Sequence, residues 1–201
     1  MSKKRQGVRI ATSLTGHRVA IRTLKPWATT RLSESRQHLR RPRSHTCSVT
    51  KCTYVLTAIS STDANRLRAI DGPRYVADEC PGYPCRQCLQ DAEIGDELVL
   101  VTHDPFRIDS PYRSASPIFL HAVDCGEPPS ARDDLPVQLT SRQLSVRAFD
   151  QAAMMTDAAL IEGSILQATL ERLFAGRSVD HVDIHNAVRG CWAVRAERAD
   201  R

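Results

Sequence analysis

Residues 180–195, Asp-His-Val-Asp-Ile-His-Asn-Ala-Val-Arg-Gly-Cys-Trp-Ala-Val-Arg, constrain the fold more than any other stretch of the chain. Polar and apolar residues alternate into a short polar turn, and an apolar run leads out of it, which is the pattern of two antiparallel strands joined by a hairpin. Strand alternation places Val182 and Ile184 on one face and His181, Asp183 and His185 on the other. With Asn186, Arg189 and Cys191, these polar residues crowd around one turn. Any chemistry is to be sought there first.

The rest of the chain offers short strands separated by Pro- and Gly-rich breaks. Residues 54–59 read as a strand, and Asp63 can cap a short helix that ends at Asp71-Gly-Pro73. Residues 74–77 are a further strand. The following Cys80-Pro-Gly-Tyr-Pro-Cys-Arg86 is an irregular loop whose prolines fix the directions of Cys85 and Arg86. Residues 97–102 form a near-continuous apolar run, a strand buried on both faces. A long ordered loop spans 104–116, then come a strand at 117–123, a surface excursion at 124–134 and a helical turn near 137–142. Residues 144–149 alternate as a strand with Arg147 at its middle, and 154–161 read as another strand or extended segment. Gly163-Ser164 opens a helix whose stripe is Ile165, Leu166, Leu170, Leu173 and Phe174, with Gly176 as its stop. The expected class is α+β: an antiparallel or mixed sheet with one principal amphipathic helix near the C-terminus.

Charge divides the chain. Residues 1–53 hold thirteen Lys and Arg against one acid, a net +12, whereas residues 54–201 hold fifteen Arg against twenty-two acids, a net −7. The segment 1–53 lacks apolar periodicity and reads as a disordered basic extension. A nucleic-acid arm and a transit-like leader are open explanations; the favoured one is a start codon assigned too far upstream. No methionine lies between Met1 and Met154, so the true start would be a non-AUG codon, for instance at Val49, Val55 or Leu56. Residues 54–201 read as one domain whose acidity argues against a nucleic-acid partner, except through the basic tail. No apolar run is long enough to span a bilayer and no secretory core is present, so a cytoplasmic, membrane-free protein is expected.

Seven cysteines without an export signal disfavour a disulfide framework and leave free thiols, a metal site or one reactive thiol open. Cys85-Arg-Gln-Cys88 is half of a zinc site, but no second Cys-X-X-Cys follows. His181 and His185 lie ~13 Å apart along a strand, too far to share an ion. Cys85, Cys88, His185 and Cys191 make a possible ligand set for a zinc-stabilised module, though no metal ligand and no cofactor is assigned. Cys191 and His185 flank the hairpin turn and are the candidate thiol and base, with Asn186 or Asp183 to orient the ring. Arg86, Arg113, Arg147 and Arg189 are candidate anion clamps; Asp91, Glu97 and Asp183 are their alternative partners within the fold.

Several separated motifs occur together: Pro81-Gly-Tyr-Pro-Cys-Arg86, Asp91-Ala-Glu-Ile-Gly-Asp-Glu97, Ser110-Pro-Tyr-Arg113 before Ser116-Pro-Ile-Phe119, Leu144-Ser-Val-Arg-Ala-Phe149 and His185-Asn-Ala-Val-Arg-Gly-Cys191. In this order the chain resembles a bacterial family known as domain of unknown function twelve-hundred-and-three, over residues 54–198. The resemblance implies a fold but no activity, and Cys80, Cys88 and Cys125 lie outside its motifs. The expected function is therefore the binding of, or action on, a small anionic molecule through a pocket between residues 82–86 and the terminal hairpin. Cys191 and His185 would be catalytic, and Cys85, Arg86, Arg147 and Asn186 ligand-binding. The alternatives are a non-catalytic structural or interaction domain and the zinc-stabilised module.

Overall fold

The computed structural model describes residues 54–126, 128 and 135–199, so the expectations for residues 1–53 lie outside the described residues. In chain order the elements are β1 (Tyr54–Thr57), α1 (Ser61–Arg68), β2 (Arg74–Val76), β3 (Glu97–His103), β4 (Ser116–His121), α2 (Val137–Thr140), β5 (Gln143–Phe149), β6 (Met155–Glu162), α3 (Leu166–Ala175), β7 (His181–Asn186) and β8 (Trp192–Arg198). They build a five-stranded sheet of order β1-β8-β7-β5-β6 and a three-stranded sheet of order β2-β3-β4. Every strand pair is antiparallel. The α+β expectation holds, with the strand content dominant and the sheet divided in two.

The hairpin forms as its alternation demands. Gly190 takes φ +72°, which a side chain would resist, and its N–H donates to the Asn186 carbonyl at 2.8 Å to close the turn. A bulge between Ile184 and His185 sets His185 opposite Trp192. On one face, Val182 and Ile184 join Leu144, Val146, Val194 and Ala196 in a core covered by Leu166, Leu170, Leu173 and Phe174 of α3. Ile165 departs from the expected stripe. It sits in a 3-10 turn (Gly163–Ile165) before α3 and is exposed, because the tighter winding rotates it off the helix face. Gly163 itself is required by contact: a Cβ there would lie 2.0 Å from the Leu139 carbonyl oxygen.

The other face of the large sheet is polar yet also buried, since the segment around the smaller sheet covers part of it. Trp192 packs with Val99, Val101, Ile118 and Leu120 of β3 and β4, which joins the two sheets. Beneath it Asp183, wholly buried, accepts from Arg195 Nε and Nη2 at 2.8 Å each and from Trp192 Nε1 at 3.1 Å. A buried carboxylate is tolerated here because donors meet both its oxygens. β3 is buried at Leu98, Val99 and Val101, so both its faces are covered as its apolar run requires. Among the described residues, no helix is long and apolar enough to cross a membrane.

Candidate ligand pocket and cysteine cluster

Between β2 and β3, residues 77–96 form no regular element. The segment is held by an antiparallel bridge of Pro84 to Asp91 and a parallel bridge of Cys85 to Phe119. The Arg86 backbone is fixed on both sides: its N–H donates to the Phe119 carbonyl at 3.0 Å and its carbonyl accepts from Ile59 N–H at 3.1 Å. Neighbouring side chains therefore leave this segment in different directions. Arg86 lines a cavity against the hairpin, while Cys85 and Cys88 enter the apolar cluster that contains Trp192.

The cavity has a volume of about 550 Å³ and lies between residues 82–86 and the β7–β8 turn, where the sequence placed it. Tyr83, Arg86, Arg142, Asn186, Arg189 and Cys191 all contribute to its wall, and Glu79 is the acid among the lining residues. Arg142 is matched, donating to both carboxylate oxygens of Asp91 at 3.0 and 2.6 Å. Arg86 is not. It is 2% exposed, its Nε donates to the Trp192 carbonyl at 2.7 Å and its Nη1 to the Pro84 carbonyl. Among the described residues Nη2 has no partner and no carboxylate pairs with this guanidinium. Burial pulls Arg86 down to about 10, which still leaves it a cation at neutral pH.

The other expected site residues fall elsewhere. Cys85, Arg147 and His185 do not line the cavity. Arg147 donates through Nε to Ser145 Oγ at 3.3 Å, because its place on the inner strand β5 turns it along the polar sheet face. His185 Nδ1 lies 3.1 Å from the Gly190 carbonyl, and Cys191 Sγ points to the Arg189 carbonyl at 3.7 Å; no hydrogen bond joins this thiol to this imidazole. Burial lowers the His185 pKa. Arg113 pairs with Asp104 at 2.6 Å and Asp109 at 2.9 Å. Of the carboxylates named as alternative arginine partners, Asp183 goes to Arg195 and Asp91 to Arg142.

A second cluster was not foreseen in its membership. Cys85, Cys88, His121 and Cys125 place their donor atoms all within 4.8 Å of one another, a set that could hold a metal ion. Cys85 Sγ is 3.8 Å from Cys125 Sγ, and Cys88 Sγ is 3.7 Å from His121 Nδ1. His185 and Cys191, the expected second half of a zinc set, are replaced by His121 at the end of β4 and Cys125 just beyond it. The thiols interact strongly: hydrogen bonding from Cys125 and Cys88 pulls Cys85 well below the usual thiol range, and the Cys125 and Cys85 sulfurs raise His121 to about 10. Next to Cys88, Leu89 takes φ +55°, a left-handed conformation rare for a branched side chain, and is buried to 2% exposure.

The four-residue cysteine–histidine cluster, the hairpin and most of the pocket wall, Tyr75 and Glu79 excepted, fall within residues 82–198, the span matched by the model of a family described as protein of unknown function (DUF1203). The chain belongs to this family. No curated protein and no solved structure matches it.

Proposed function

We propose that the chain binds a small anionic molecule, a carboxylate or phosphate, in the cavity between residues 82–86 and the β7–β8 turn. The observation that carries this reading is Arg86: a guanidinium 2% exposed, facing a cavity of about 550 Å³, without an anionic partner among the described residues. A buried charge without a counter-charge costs several kcal/mol. Its free Nη2 edge is suited to hydrogen-bond an oxyanion, which would return that cost on binding. Asn186 and Arg189 supply further donors, Tyr83 and Phe119 stack edge-to-face at 5.3 Å as an apolar wall, and Cys191 adds a thiol. Binding rather than covalent chemistry is favoured because His185 is engaged by Gly190 and not by Cys191. If Arg86 were only a strut between Pro84 and Trp192, the domain would be a structural or interaction module.

A thermal-shift panel of phosphate, pyrophosphate, succinate and citrate, with sorbitol as neutral control at matched ionic strength, separates the two. A ligand at a hundredfold excess over Kd contributes about 2.7 kcal/mol, a rise of roughly 5–10 °C. Arg86→Gln should abolish the rise and Arg147→Gln should leave it intact. No shift with any anion, or the same shift in Arg86→Gln, would leave only the strut.

A further inference from the structure

The geometry points to a structural zinc centre at Cys85, Cys88, His121 and Cys125, three thiolates and one imidazole closing a tetrahedron. Zn–S bonds of ~2.3 Å and Zn–N bonds of ~2.0–2.1 Å give a regular tetrahedron S···S edges of ~3.8 Å and S···N edges of ~3.6 Å. The Cys85–Cys125 separation of 3.8 Å and the Cys88–His121 separation of 3.7 Å match two of the six edges, and all four donor atoms lie within 4.8 Å of one another. Thiols packed as inert core filler have no reason to converge with an imidazole at these spacings. Soft sulfur donors with one imidazole in tetrahedral array select zinc over hard cations.

The surroundings are those that a metal ligand set needs. His121 presents Nδ1 to the sulfurs while its Nε2 lies 3.4 Å from Asp96 Oδ2, a carboxylate–histidine arrangement that fixes the ring and its tautomer. The left-handed Leu89 lets the chain reverse directly after Cys88, which gives a reason for a backbone conformation costing ~1–2 kcal/mol. Binding releases three protons in all from the four side chains to solvent, so that three thiolates and a neutral His121, coordinating through Nδ1, leave a site of net charge −1. Four protein donors fill the coordination sphere, so the ion has no open position for water or substrate and its task is to hold residues 77–96 against the end of β4.

The site stands apart from the anion pocket: Cys85 and Cys88 turn away from it while Arg86, between them in sequence, lines it. The test is the metal content of the full chain, purified without chelator from zinc-supplemented cells. About one zinc per chain is expected, lost in Cys88→Ser and Cys125→Ser and kept in Cys80→Ser, Cys191→Ser and Arg86→Gln. Should the serine variants fail to fold, cobalt(II) added to chelator-stripped wild type reads the same point, through thiolate-to-cobalt charge transfer and tetrahedral d–d absorption. Metal-free wild type that gives no such cobalt spectrum, a Cys85–Cys125 disulfide in its place, or zinc that follows Cys191 overturns the proposal. Anion binding lost in Arg86→Gln with zinc retained reports on the pocket alone, so either assignment can fail without the other.

Discussion

Replacing Asp183 by Asn isolates the polar network that lies under Trp192. The change keeps the side-chain shape and one acceptor oxygen, so Trp192 Nε1, 3.1 Å from Asp183 Oδ1, retains its partner. What disappears is the negative charge that Arg195 meets with two 2.8 Å hydrogen bonds, and an amide N–H₂ then faces a guanidinium. Asp183 is fully buried and Arg195 is 7% exposed, so water cannot take over the solvation of the stranded cation. Breaking one side of such a pair costs about 3–5 kcal/mol, which in a domain of about 150 residues lowers Tm by roughly 6–20 °C. Urea unfolding followed by far-UV circular dichroism gives the free energy. Adding Arg195→Met to Asp183→Asn removes the stranded charge and should recover at least ~1 kcal/mol relative to the single change. An Asp183→Asn variant within ~1 kcal/mol of wild type, or a double variant less stable than the single one, would refute the view that Asp183 is the counter-charge of Arg195.

Three further outcomes follow from the packing. Burial and the neighbouring Arg195 hold the His181 pKa down to about 4, outweighing Asp180 Oδ2 at 3.0 Å from its Nδ1, so the unfolded chain binds the extra proton; its contribution is full above about pH 6.5 and is lost as pH falls from there toward 4. His181→Gln should accordingly flatten the urea-derived stability-versus-pH curve in that window by up to one proton's slope, and an unchanged slope would contradict it. Gly163→Ala would push a methyl 2.0 Å from the Leu139 carbonyl oxygen and should destabilise by about 1–3 kcal/mol or more by urea titration; a neutral result would mean that α2 and the turn before α3 do not pack this closely. Leu89→Gly relieves a left-handed backbone worth about 1–2 kcal/mol but empties a buried site worth about 2–5 kcal/mol, so a net loss is expected, and a gain would show that the Leu89 side chain contributes little to the core.

The elements legible in the sequence are those whose burial shows in their period. The hairpin around Asn186–Gly190 and the α3 face of Leu166, Leu170, Leu173 and Phe174 carry a period that one secondary structure satisfies, and the apolar run of β3 is read as a strand from its shortness and its β-branched valines. A cavity does lie between residues 82–86 and the hairpin, but prolines 81 and 84 and Gly190 fix only the local backbone, so that these two segments meet is a property of the tertiary fold. The Asp183–Arg195 pair was hidden: alternation separates two faces but does not say that the polar one is also covered, which is a consequence of the second sheet. The cysteine cluster was half visible. Cys85-Arg-Gln-Cys88 announces itself, but His121 and Cys125 come from a strand end and the loop after it, with a spacing that matches no paired Cys-X-X-Cys motif. A His and a Cys four residues apart, directly after an apolar strand, were the available signal. Arg86 as an unpaired cation required the fold, since an acidic domain offers carboxylates at every turn and only the geometry shows that Asp91 and Asp183 are taken by Arg142 and Arg195.

The most direct test of the anion pocket is a heteronuclear NMR titration of the full chain with pyrophosphate, repeated on Arg86→Gln. Saturable shifts confined to the amides of residues 82–86 and 186–191 and to the Arg86 Nε–H, absent from the variant, are the predicted result. Shifts that are missing, that persist in Arg86→Gln, or that gather on the basic residues before position 54 would contradict it.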